Sequence, residues 1–110
     1  MESNYSKKYD REGKEVGLYE WDKLFEDMEY RRVGWTRLWW GGDISTVWLG
    51  LDHGFGGRRV TFETMGFGLF GRELCCLRYA TTEEAERGHK AMVKYWTNPI
   101  NVVKGVLRKR

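Results

Sequence analysis

Prolines, cysteines and histidines are scarce in this chain of 110 residues, which carries one, two and two of them respectively. A single proline, Pro99, leaves almost every segment free to enter a helix or a sheet, and it marks one sharp boundary. Cys75 and Cys76 are adjacent in an apolar, strand-like run, where alternation sends their side chains to opposite faces, so a structural disulfide between them is not expected. No apolar run approaches the roughly 20 residues that span a bilayer, and the opening Met1 to Lys14 is polar without a signal-peptide core, so a cytoplasmic protein is expected. Charge of one sign is also in short supply. Nineteen Lys and Arg against sixteen Asp and Glu leave a net charge of +3, too small to define a nucleic-acid-binding protein by itself.

What is abundant is aromatic surface. Six tryptophans in a composition that is 41% hydrophobic argue against disorder and for one packed core at this length. Residues 9–16 place Asp10 and Gly13 as in a tight turn between β-capable residues, predicting a small hairpin or lead-in over residues 1–17. Leu18, Trp21, Leu24, Phe25 and Met28 recur at helical spacing and predict an amphipathic helix over 18–28. Glycine-punctuated aromatic and β-branched runs then predict four strands, near 30–40, 43–52, 59–67 and 73–79. In the second, Ile44, Thr46 and Trp48 share one face and Val47, Leu49 and Leu51 the other.

Thr81-Thr82-Glu83-Glu84 is a capping box opening a second helix, whose stripe is Ala85, His89, Met92, Val93 and Trp96 and which Asn98-Pro99 ends. The stretch from Ile100 to Leu107 is compatible with an edge strand, a short helix or an ordered tail. Residues 98–110 form a basic C-terminal segment carrying Lys104, Arg108, Lys109 and Arg110. The expected fold is α+β: a four-stranded antiparallel meander packed with two amphipathic helices, in a single domain over 18–97. The second helix covers the sheet, and the first lies at one edge or on the opposite face.

Three sets of residues carry candidate chemistry. Asp52-His53, at a strand end before a glycine-rich loop, pairs with Glu63 and with His89 as a weak acid–base set, in which His53 is the base. The plainer reading makes Asp52 a cap for turn amides and His89 a hydrogen-bonded core residue. Metal-ligand spacing is absent, and neither a metal nor another cofactor is expected. Arg31, Arg32, Arg37, Arg58 and Arg59, interleaved with Trp35, Trp39 and Trp40, suit stacking on single-stranded nucleic acid, or else are solvated strand residues beside core tryptophans. Finally, alternation places some of Trp35, Trp39, Trp40 and Trp48 on each sheet face, so an aromatic patch for a protein partner or a second copy is expected if helices cover only one face.

The ordered runs Tyr30-Arg31-Arg32-Val33, Ile44 to His53, Phe62-Glu63-Thr64-Met65, Arg78-Tyr79-Ala80-Thr81 and Gly88-His89 resemble a group of small, functionally uncharacterised proteins of bacteriophage genomes, over about residues 18–93. Many of those relatives have a Gly-Pro-rich connection where this chain has Gly56-Gly57-Arg58-Arg59, and the basic extension after Trp96 is a further departure. The resemblance implies origin and fold and supplies no catalytic residues. With it, the leading expectation is a non-enzymatic protein that engages a host protein as an inhibitor, takeover or anti-defence factor. Nucleic-acid binding through the basic strip and tail comes second, and a small enzyme or ligand-binding protein using Asp52, His53, Glu63 and His89 third.

Overall fold

The computed structural model describes residues 7–52 and 58–108. A two-stranded hairpin, β1 (Lys8–Tyr9) and β2 (Glu15–Val16), leads into α1 (Leu18–Glu26) and the single turn α2 (Met28–Arg31). Strands β3 (Arg32–Arg37), β4 (Asp43–Trp48), β5 (Phe62–Phe67) and β6 (Glu73–Tyr79) follow, then α3 (Thr82–Thr97) and α4 (Pro99–Arg108). The four long strands pair antiparallel in sequence order, so the expected α+β meander is the architecture found.

The core lies between α3 and the face that carries Ile44, Thr46 and Trp48 on β4 and Phe62 and Thr64 on β5, all essentially inaccessible to solvent. The period-2 alternation of β4 and the 3.6-period stripe of α3 meet there: Ala85, His89, Met92 and Trp96 are the buried residues of the helix. The capping box forms, the Glu84 N–H donating to Thr81 Oγ1 at 3.1 Å. The reciprocal bond to Glu84 Oε1 comes from the Ala80 N–H, one residue before the cap.

Trp48 is enclosed by Phe25 and, edge-on at 5.0 Å between ring centroids, by Tyr30. α1 and α2 therefore pack at the end of the sheet on the same side as α3, and not over the opposite face. Leu18 and Met28, expected on the buried stripe of a first helix over 18–28, are exposed: Leu18 opens α1, which ends at Glu26, and Met28 lies beyond it as the first residue of α2. The N-terminal hairpin is tied in by Tyr9, whose N–H donates to the Gly50 carbonyl and whose own carbonyl accepts from Trp48 Nε1.

Residues 99–108, within the segment read as a basic tail, form helix α4. Val102 is buried against the Trp96 end of the core, and a Cβ on Gly105 would stand 2.7 Å from the Trp96 ring. Glycine is what lets α4 approach that ring. Among the described residues no helix is long and apolar enough to cross a membrane.

Candidate interaction surface

His89 sits where α3 crosses β3 and β4. Its Nδ1 is 2.7 Å from Thr46 Oγ1 and its Nε2 is 2.9 Å from Thr36 Oγ1, and Thr46 Oγ1 in turn bonds Thr64 Oγ1. The ring lies flat on Gly34, where an added Cβ would meet three ring carbons at 3.1 Å. Burial pushes the imidazole pKa below its ordinary value. These contacts use both ring nitrogens, which is what a structural histidine under a helix requires.

Glu63 projects from the other face of the sheet, where Arg78 Nε and the Cys76 thiol reach its Oε2 at 3.2 and 3.4 Å. The sheet thus stands between Glu63 and His89, and the proposed acid–base grouping of the two is not assembled. Asp52 is buried and accepts from the Val60 N–H at 3.2 Å, the turn-capping role. His53 lies outside the described residues. Among the described residues no group of three His, Cys, Asp or Glu is placed to hold a metal. Cys75 faces Met92 and Cys76 faces Glu63, on opposite sides as alternation requires. Burial raises the Cys76 thiol pKa and the Glu63 carboxylate adds to it, the reverse of what a reactive thiolate needs.

The arginine–tryptophan strip is dispersed. Arg58 pairs with Glu84 in the first turn of α3, whereas Trp39 and Trp40 donate their indole N–H groups to the carbonyls of Thr97 and Trp96 at its last. A helix of this length separates them by roughly 20 Å. Arg59 stacks over Tyr9 at 4.1 Å and Arg31 over Phe25 at 3.9 Å, so aromatic faces of the chain itself occupy these guanidinium groups. Trp35 and Arg37 are exposed on the uncovered sheet face, with the Trp35 N–H bonded to Asp43. Arg32 is exposed at the start of β3. Lys104 is exposed on α4, Arg108 ends that helix, and Lys109 and Arg110 lie outside the described residues.

A concave apolar surface lies at the far end of the sheet, around the β5–β6 turn. Trp40, Leu74, Trp96 and Val102 line an open cavity of about 330 Å³, with Leu69 and Phe70 at its lip and Arg72 beside it. Tilted packing of Trp40 on Trp96, with centroids 6.4 Å apart, makes one wall. The turn is closed by the Gly68 N–H to the Arg72 carbonyl at 2.6 Å, and it forces Phe70 to φ 63°, ψ 26°. A phenylalanine in the left-handed region is an outlier, and this one projects its ring entirely into solvent. Nearby, Ile100 and Val103 of α4 are also exposed, next to Lys104.

The sequence reading named Trp39, Trp40 and Lys104 of this region and missed Leu69, Phe70, Leu74 and Val102. A signal was present in Gly68-Leu69-Phe70-Gly71, two large apolar residues in a glycine-flanked turn where polar residues usually stand. Comparison with protein-family models, with curated proteins and with solved structures finds no match to this chain. Its fold class is α+β, a four-stranded antiparallel sheet with helices, and its candidate site is an apolar cleft with an exposed aromatic lip.

Proposed function

We propose that this is a non-enzymatic binding protein that engages a protein of its host through the cleft at the β5–β6 turn. The observation that carries the reading is Phe70: an unfavourable backbone conformation holds a fully exposed aromatic ring at the mouth of an apolar cavity. The turn imposes that conformation, but glycine or asparagine would meet it at lower cost, so a phenylalanine at this position marks a side chain kept for contact. Arg72 beside the cavity and Lys104 on α4 suit a partner segment that places an apolar side chain in the cleft and carboxylates around it. The resemblance to small bacteriophage proteins sets this activity in the cytoplasm of an infected bacterium, as an inhibitor, takeover or anti-defence factor. No cofactor enters the reading. The nucleic-acid alternative has less support, because Arg58 and the tryptophans Trp39 and Trp40 stand at opposite ends of α3, and Arg31 and Arg59 stack on the chain's own rings.

The test is retention from nuclease-treated bacterial lysate on immobilised wild-type protein, Phe70→Gly and Arg72→Glu, each first shown by circular dichroism to be folded. One bacterial protein held in stoichiometric amount by the wild type and lost with both variants is expected. Retention unchanged by either substitution, or dependent on intact nucleic acid, overturns the proposal.

A further inference from the structure

The meander leaves two strand edges, β3 and β6, and they differ in how they would meet a second copy of themselves. Antiparallel self-pairing brings the two ends of a strand opposite each other. In β3 those ends are Arg32 and Arg37, so self-pairing would set like charges across the junction. Like charges at both ends keep an edge from pairing with itself. β6 reads Glu73-Leu74-Cys75-Cys76-Leu77-Arg78-Tyr79, with opposite charges at its ends, four apolar residues between them and neither Lys nor Pro.

The backbone of β6 is set for the same pairing. The Tyr79 carbonyl accepts from Thr61 N–H, toward β5. Strand alternation then turns the amides of Leu77 and Cys75 inward as well, and those of Cys76 and Arg78 outward. The register steps from Gly66↔Cys75 to Phe67↔Glu73, so Leu74 is an extra, bulged residue. With Leu74 set aside, β6 is symmetric about Cys76: Cys75 and Leu77 flank it on the α3 side, and Glu73 and Arg78 lie two places away on the open face.

We infer that β6 pairs with β6 of a second copy across a two-fold axis at Cys76, joining two meanders into one eight-stranded antiparallel sheet. In that register Cys76 exchanges backbone hydrogen bonds with its symmetry mate, Cys75 of each copy meets Leu77 of the other, and Glu73 of each copy meets Arg78 of the other. Arg78 already holds Glu63 through Nε at 3.2 Å, which orients its guanidinium on the open face, and among the described residues Glu73 has no ion pair. The apolar groove between β6 and α3, about 420 Å³ and lined by Leu77, Ala91 and Tyr95, runs along this edge and is closed by the second copy. A closed two-fold contact uses up the edge and ends at a dimer.

Two measurements on the full chain decide the matter. Light scattering under reducing conditions is expected to give a dimer, and Glu73→Arg, which sets arginine against Arg78 of the other copy, to weaken it by about tenfold. A short thiol–thiol cross-linker is expected to trap a covalent dimer in Cys75→Ser, which keeps Cys76 at the axis, and to trap far less in Cys76→Ser, whose remaining thiol points at Met92. A monomeric mass at all concentrations overturns the inference. So does a dimer indifferent to Glu73→Arg, or one cross-linked equally in both cysteine variants.

Discussion

Replacing His89 with glutamine removes the imidazole that joins α3 to two strands, and the structure fixes the consequence for pH. The folded-state pKa of His89 lies below its ordinary value because burial penalises the imidazolium. The unfolded chain takes up its proton near pH 6.5. Below that pH the unfolded state binds more protons than the folded one, so stability rises with pH through the window between the lowered folded pKa and about 6.5. The contribution is complete above the unfolded pKa and is lost as pH falls, at a slope limited to about 1.4 kcal/mol per pH unit for one group. Glu84, whose pKa is lowered by the Arg58 hydrogen bond, acts at more acid pH: its contribution is present above the ordinary carboxylate pKa and is lost below it. Glu86 and Lys90 flank the hollow over His89, so the comparison belongs at one fixed ionic strength. Urea denaturation from pH 8 to 5 in a His53→Asn background isolates the one remaining imidazole. At pH 8, His89→Gln is expected to lose about 1–3 kcal/mol from strained or unmade bonds to Thr36 and Thr46. Its curve is expected to run flat where that of the parent falls. A slope that survives the substitution refutes the argument, since the titrating group is then elsewhere.

Three further substitutions probe other contacts. Gly88 faces Tyr79 so closely that a Cβ would overlap the ring, so Gly88→Ala is expected to destabilise by about 1–2 kcal/mol, its overpacking outweighing the helix propensity gained, read as a lower thermal midpoint. Thr81→Ala removes the acceptor for the Glu84 N–H and is expected to cost about 1 kcal/mol in denaturant unfolding. Phe70→Gly relieves a left-handed phenylalanine, so stability is expected to hold or to rise by up to about 1 kcal/mol, whereas truncating a core phenylalanine costs about 3–5. A large loss in Phe70→Gly would show that the ring is packed and not presented.

Elements that follow from local pattern were legible in the sequence. Strand β4 alternates so regularly that Ile44, Thr46 and Trp48 could be grouped on one face, although which face is buried could not be read, and the cap at Thr81 fixed where α3 begins. Helix α4 was left open because its fate is tertiary: Gly105 is a poor helix former by itself, and its value appears only once Trp96 is found against it. The site was less legible for the same reason. Hydrophobic patterning identifies what is buried, and Phe70 is an apolar residue that is not. Its backbone conformation, the informative feature, is imposed by closure of the β5–β6 turn and leaves no mark in residue spacing.

The tryptophans invited a functional reading that the structure reassigns. Trp21, Trp35, Trp39, Trp40 and Trp48 each donate an indole N–H to a protein acceptor: respectively the Leu49 carbonyl, Asp43, the Thr97 carbonyl, the Trp96 carbonyl and the Tyr9 carbonyl. Four of these bonds reach backbone carbonyls far along the chain, tying α1 to the end of β4, β4 to the N-terminal hairpin, and the β3–β4 turn to the end of α3. A small domain has little core with which to hold its ends together, and a side chain that buries a large surface while its N–H satisfies a distant carbonyl does both tasks at once. The aromatic excess is therefore mostly spent on joining elements. Phe70 has no polar group to satisfy and contributes no buried surface, so the turn explains its backbone but not the choice of an aromatic side chain there, and the case for a partner at the β5–β6 turn rests on that contrast.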